Sequence, residues 1–147
     1  MSRTIAVTGA TGFIGAMLVE HLLAAGWNVR ALVRPRSAHR MTEKPGLEAV
    51  TGSLQDGESL QRLVQGAAAV VHCAGAVRGA TAADFNAVNV EGLERLVGAV
   101  LALSPRPRFL LLSSLAARSP ELSHYASSKR QGELALAAMA EDMEWIA

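Results

Sequence analysis

At 147 residues the chain has the length of one domain with a sizeable core, and 50% hydrophobic against 18% charged residues excludes disorder and fits a soluble α/β protein. A net charge of +1 without a basic run offers nothing electrostatic to nucleic acid or to an anionic membrane, so neither is expected as a partner. The N-terminus lacks the zones of a signal peptide, no stretch is apolar for the roughly 18 residues of a membrane span, and Cys73 is the single cysteine, so a reducing, cytoplasmic location is expected.

The first predicted element is a strand over the apolar run Thr4 to Val7. It passes through Thr8-Gly9-Ala10-Thr11-Gly12-Phe13-Ile14-Gly15 into a helix whose Phe13, Met17, Leu18, His21, Leu22 and Ala25 recur at helical spacing, with Gly26 where a C-terminal glycine belongs. Asn28 to Val33 reads as the second strand, the polar stretch Arg34 to Pro45 as a loop, and Leu47 to Thr51 as the third strand. Asp56 is the expected N-cap of a helix over Glu58 to Gln65, and Ala68 to Cys73 is the fourth strand. Thr81 followed by Asp84 makes a capping-box pattern ahead of Phe85, Val88, Gly92, Leu96, Val100 and Leu103, read as one long amphipathic helix. Phe109 to Ser113 is the fifth strand, His124 to Ala140 the last helix, and Met143 to Ala147 the opening of a sixth strand.

Strands alternating with helices over short connections predict a parallel sheet wound on both faces by right-handed crossovers. Runs as apolar as Ala68-Ala69-Val70-Val71 and Phe109-Leu110-Leu111-Leu112 predict strands covered from both sides. Ending at Glu144-Trp145-Ile146-Ala147, inside an expected buried strand, the chain reads as the N-terminal part of a longer one. On that reading the fifth strand lacks its neighbour, and the chain alone is poorly soluble or oligomeric.

A strand that runs through glycines into a helix points to a dinucleotide pyrophosphate site in a Rossmann-type α/β domain spanning residues 1–147. Gly9 allows the sharp turn, Gly12 lets backbone approach phosphate oxygens, and Gly15 lets the helix pack on the strand. The free N–H groups of the helix then face the anion. His21, His39 and His124 have no partner at metal-ligand spacing and Cys73 has no second soft ligand, so no metal is expected; Met17, Met139 and Met143 read as core filler.

With Tyr125-Ala126-Ser127-Ser128-Lys129 added to Thr8–Gly15, the chain resembles the short-chain dehydrogenase/reductase superfamily, in its extended or atypical, epimerase/dehydratase-like branch. His72-Cys73-Ala74-Gly75 is similar to the family's turn after the fourth strand, and Asn89-Val90-Glu91-Gly92 to its N-V-x-G helix motif. The resemblance implies that Gly9, Thr11, Gly12, Phe13, Ile14 and Gly15 cradle the coenzyme. It implies as well that Ser53, Leu54, Cys73, Ala74 and Gly75 line it, and that Lys129 holds the nicotinamide ribose. Gly52-Ser53-Leu54-Gln55-Asp56 departs from the family's Gly-Asp-Leu-x-Asp, leaving Ser53 a weaker adenine contact than an aspartate.

The same resemblance makes Tyr125, Lys129 and a serine the catalytic set, with Ser114 matching the family's serine and Ser113 the alternative. Tyrosine and lysine four apart on a helix share a face, so the ammonium stabilises the phenolate that exchanges a proton with substrate, while a serine hydroxyl steadies the substrate oxygen. Asn89 reads as shaping the neighbouring loop. The end of the second strand, Leu32-Val33-Arg34-Pro35-Arg36-Ser37, carries no carboxylate for a ribose 2′-hydroxyl, so NADP is expected over NAD, with Arg34 first and Arg36 second at the 2′-phosphate. The expected function is NAD(P)-dependent hydride transfer on a small-molecule substrate by an oxidoreductase, epimerase or dehydratase-type enzyme; a coenzyme-bound scaffold or redox sensor is the alternative. Members of the family commonly dimerise through the helices that Asn89 and Tyr125 would occupy, and the sequence permits a homodimer of that kind while leaving the oligomeric state open.

Overall fold

The computed structural model describes residues 3–147. Six strands, β1 (Thr4–Thr8), β2 (Asn28–Val33), β3 (Leu47–Thr51), β4 (Ala69–His72), β5 (Arg108–Leu111) and β6 (Trp145–Ile146), form one parallel sheet in the order β3-β2-β1-β4-β5-β6. The order reverses between β1 and β4, where Val7 lies between Ala31 and Val71 and Thr8 opposes His72. That reversal opens a crevice at the carboxyl ends of the strands, the place where doubly wound α/β sheets bind ligands.

Side chains alternate across the sheet with a period of two. Ala6, Leu32, Val50, Val70, Phe109 and Leu111 pack on one face against Leu60 and Leu63 of α2 (Gly57–Val64), Leu93, Leu96, Val97 and Val100 of α4 (Glu91–Leu101), and Leu136 of α5 (His124–Met139). Ile5, Val7, Val29, Ala31 and Val33 pack on the other against Leu18, Val19 and Leu22 of α1 (Phe13–Ala24). The two faces are covered unequally. On the α1 face, Leu110 and Ile146 stay exposed, so β5 is not covered from both sides as its apolar run predicts.

Local chemistry accounts for the helix boundaries. At the end of α1, Gly26 N–H donates to Leu23 O and Trp27 N–H to Leu22 O, both at 3.0 Å, a Schellman motif around Gly26. Asp56 Oδ1 accepts the Glu58 N–H at 3.2 Å and caps α2. Arg30 on β2 binds the other end of α2, its Nη1 donating to the Gln65 carbonyl at 2.7 Å. The capping box is present, with Thr81 Oγ1 accepting the Asp84 N–H at 3.3 Å and Asp84 Oδ2 accepting the Thr81 N–H at 2.8 Å.

Four expectations need correction. The single long helix after Thr81 is two, α3 (Ala82–Asn89) and α4, broken at Val90 with φ −115° and ψ −69°. The residue before the break, Asn89, bonds through its side chain to Ala76 on the β4–α3 loop and to Ser128 on α5. The loop after β2 contains a 3-10 segment, Pro35–Arg40, with Pro35 at its start. β5 does have a neighbour, because β6 pairs Trp145 with Phe109 and Ile146 with Leu110, although both β6 residues are exposed. Finally, Phe13, Ile14 and Met17 point to solvent, so Met17 is not core filler, whereas Met143 is buried and Met139 packs against the core.

Candidate functional site

Because every strand runs in the same direction, the turns after β1, β2, β3, β4 and β5 all emerge at one edge of the sheet. This edge carries Gly9–Gly15, Arg34 and Arg36, Ser53 and Leu54, Cys73–Gly75, and Ser113–Ser114.

Gly9 has φ +73°, and a Cβ there would lie 2.5 Å from Ala74 N and 2.7 Å from Cys73 C. No side chain fits either that backbone or that space. A Cβ on Gly15 would lie 2.0 Å from Gly9 O, so the start of α1 is pressed directly on the preceding turn. Gly12 is the N-cap of α1, its N–H donates to Gly9 O at 3.0 Å, and no side chain caps the first turn of the helix. The N–H groups opening α1 therefore face the crevice free of a side-chain acceptor, with Phe13 and Ile14 exposed beside them. A bare backbone cradle at a helix N-terminus fits a diphosphate, the group the sequence implies.

A buried polar chain ties this cradle to β4. His72 Nδ1 lies 2.7 Å from Thr8 Oγ1, which accepts the Ala74 N–H at 3.2 Å. Burial first, and the nearby Lys129 charge second, bring the His72 pKa from 6.5 down to about 3, so the imidazole is neutral at physiological pH. Burial also pushes the Cys73 thiol up, opposed by Lys129.

A second network holds α5. Ser123 Oγ accepts the Ala126 N–H at 3.0 Å and caps the helix just before Tyr125. Asn89 Oδ1 accepts the Ala76 N–H at 2.8 Å, and its Nδ2 donates to Ala76 O at 3.0 Å and to Ser128 Oγ at 2.9 Å. Ser128 Oγ in turn donates to Tyr125 O at 2.8 Å. Asn89 thus joins the loop after β4 to the turn of α5 that carries Tyr125 and Lys129. Lys129 is buried, and its Nζ donates to Leu112 O at 2.8 Å at the exit of β5. Burial holds the Lys129 ammonium below its ordinary pKa, opposed by Glu133 and Cys73. The Tyr125 ring is half-buried and meets Phe85 edge-on, centroids 6.2 Å apart.

The two serines differ. Ser113 Oγ donates to Glu133 Oε1 at 2.6 Å, whereas Ser114 Oγ accepts the Ala116 N–H at 3.2 Å and keeps its own proton to give. Among the described residues no hydrogen bond joins the Tyr125 hydroxyl to Lys129 or Ser114. Arg34 and Arg36 are exposed, and neither guanidinium bonds a described residue. Ser53 Oγ accepts the Gln55 N–H at 3.2 Å, and the Leu54 side chain is buried, leaving only its backbone to the crevice. Glu133, Ser128 and the Thr8–His72 pair had no assigned task in the sequence. The Lys129-x-x-x-Glu133 spacing, one helical turn, was the available signal for Glu133.

Residues 5–147 match the model of the NAD dependent epimerase/dehydratase family. A ceramide reductase of Caulobacter vibrioides is 45% identical over 134 residues, covering 91% of this chain and 42% of that protein. A short-chain dehydrogenase/reductase superfamily protein from Agrobacterium tumefaciens, solved with bound NAD, is 30% identical at a TM-score of 0.81, with 98% of this chain and 48% of that one covered. The Bordetella bronchiseptica enzyme WbmH, solved in complex with NAD+, shares the fold at a TM-score of 0.84 and 22% identity, with 99% and 55% covered. The chain spans about half the length of the proteins it matches.

Proposed function

The chain belongs to the NAD dependent epimerase/dehydratase family, and from that premise we propose that it is the coenzyme-binding part of an NADP-preferring oxidoreductase with a Ser114-Tyr125-Lys129 site. The observation that supports this reading most is Lys129 Nζ donating to Leu112 O, the residue before Ser113–Ser114, at the edge that also bears the uncapped start of α1. Gly9, Thr11, Gly12, Phe13, Ile14 and Gly15 would hold the diphosphate, with Ser53, Leu54, Cys73, Ala74 and Gly75 along the coenzyme and Lys129 at the nicotinamide ribose. Arg34 and Arg36, without a hydrogen-bond partner among the described residues at the end of β2, would pair with a 2′-phosphate. When bound, the nicotinamide coenzyme supplies or takes up the hydride.

Tyr125 exchanges the proton of the substrate oxygen. Lys129 keeps two N–H donors beyond the one given to Leu112 O, and its charge favours the phenolate on the same helical face. Ser114, with its oxygen engaged by Ala116 N–H, donates its proton to the substrate oxygen as charge develops there. Neutral His72 adds no positive charge beside Lys129 and holds the turn that the coenzyme would cross. Val77, Leu115 and Leu122 are exposed on the segments that follow β4 and β5, apolar surface suited to an apolar carbonyl substrate. The likeness to a ceramide reductase supports the reductive direction on a lipid-like molecule.

Tyr125→Phe tests this reading, since the ring keeps its edge contact with Phe85 while the transferable proton is lost. Turnover should fall by about 10²–10⁴-fold with coenzyme affinity unchanged. Unchanged turnover, or no saturable binding of NADPH or NADH by the folded wild-type protein, would refute it.

A further inference from the structure

Two residues one turn apart on α5 grip two consecutive residues where β5 ends. Lys129 Nζ donates to Leu112 O at 2.8 Å, and Ser113 Oγ donates to Glu133 Oε1 at 2.6 Å. The carboxylate is itself held from the far side, Arg130 Nη1 donating to Glu133 Oε2 at 3.2 Å. A short hydroxyl–carboxylate bond is among the stronger kinds, and here it uses the only proton Ser113 can give. Ser114, the next residue, has its oxygen taken by Ala116 N–H and its proton uncommitted. The two serines that the sequence left as alternatives are therefore in opposite donor states.

We infer that Glu133 is a positioning residue: with Lys129 it clamps the exit of β5, removes the Ser113 hydroxyl from substrate, and leaves Ser114 as the serine that meets the reacting oxygen. The inference rests on the proposed function for the role of Ser114, but the clamp itself does not. Its carboxylate also supplies negative charge near the buried Lys129 ammonium. The other groups facing that ammonium are the Cys73 thiol and the neutral His72 on the β4 side, and neither carries a negative charge at neutral pH. Glu133 is thus the anionic neighbour that opposes the effect of burial on the Lys129 ammonium.

The composition makes the test clean. The chain has two lysines, Lys44 and Lys129, and Lys44 is a surface residue paired with Glu20. Lysine-selective NMR titration of the coenzyme-free protein therefore gives two signals, with Lys44 as internal reference. In Glu133→Gln, which keeps an acceptor for Ser113 but loses the charge, the Lys129 signal should titrate at lower pH than in wild type while Lys44 does not move. Ser113→Ala, which keeps the carboxylate, should leave the Lys129 titration in place. In the active holoenzyme, Ser114→Ala should lower kcat at least tenfold more than Ser113→Ala, with KM for coenzyme little changed in either. An unmoved Lys129 titration in Glu133→Gln would overturn the inference, as would equal losses of kcat for the two serine variants. Because the titration needs neither coenzyme nor substrate, it reads the charge that Glu133 brings to Lys129 independently of the proposed function, whereas absence of coenzyme binding in wild type would count against the proposed function alone.

Discussion

Gly15→Ala puts the fit between α1 and its turn to the sharpest test. The added Cβ would sit 2.0 Å from Gly9 O, 2.7 Å from Gly9 C and 3.1 Å from Ala10 Cα. All three are backbone atoms, so no side chain can rotate away, and the start of α1 must retreat by roughly 1.5 Å to restore an ordinary contact near 3.5 Å. Overpacking of this kind costs about 1–3 kcal/mol, and the better helix propensity of alanine returns up to about 1 kcal/mol. The net loss, on the order of 1–2 kcal/mol, should lower Tm by about 5 °C in a chain of this size. The effect on coenzyme should be larger. A retreat of that size takes first-turn N–H groups out of hydrogen-bond range of a phosphate oxygen, and each such charge-assisted bond is worth about 1.5–3 kcal/mol. NADPH binding, followed by fluorescence titration, should therefore weaken by about 10- to 100-fold for each bond lost. A variant that melts with wild type and binds NADPH within twofold of it would show that the helix start is neither packed nor used in this way.

Three further outcomes follow from the polar contacts. His72 is held at a pKa of about 3 against 6.5 when unfolded, so between those values the unfolded chain binds a proton that the native one refuses, and stability is lost as pH falls. From pH 7 to pH 5 wild type should lose about 2 kcal/mol more than His72→Asn in urea unfolding, and equal losses would place the imidazole elsewhere. Arg34→Glu should weaken NADPH at least about tenfold while NADH binding holds or improves, and equal effects on both would move the 2′-phosphate contact away from the end of β2. Asn89→Ala leaves Ala76 and Ser128 without three hydrogen bonds and should destabilise the protein by on the order of 3 kcal/mol in urea unfolding; a loss under about 0.5 kcal/mol would deny it the strut role.

The layout of the sheet was legible because its signals are local. Thr81 and Asp84 close a capping box within one turn, and Gly26 terminates α1 through bonds to Leu22 and Leu23, so three or four residues suffice to read each. What the sequence concealed depends on partners far along the chain. The break at Val90 adjoins Asn89, which reaches Ala76 and Ser128, the latter 39 positions away, while the pattern of Phe85 to Leu103 satisfies a continuous helix. The division between Ser113 and Ser114 was hidden for the same reason, since it is decided by Glu133, 20 positions on. Exposure of Phe13, Ile14 and Met17 shows a further limit. Apolar residues at helical spacing mark a face, and only the neighbouring elements decide whether that face is covered.

The distribution of buried polar groups joins stability to site. Among the described residues the buried polar and charged ones are Thr8, Ser37, Ser59, His72, Asn89, Ser128 and Lys129, and each lies at or after the carboxyl end of a strand or on a helix that follows one. No buried side-chain nitrogen or oxygen among the described residues lacks a hydrogen-bond partner. Burial of such groups is costly unless they are paired, and an apolar packing would have held these elements together as well. Their concentration at one edge therefore has a different consequence: the turns after β1, β4 and β5 are fixed by directional bonds, which set orientation where apolar contacts set only distance. The Gly9–Gly15 turn, the Cys73–Gly75 turn and the Ser113–Ser114 exit are thus held by the protein's own hydrogen bonds, so a ligand taken up there would not need to spend free energy ordering them. Substitutions that replace this network with apolar side chains can leave the protein folded and still disable it.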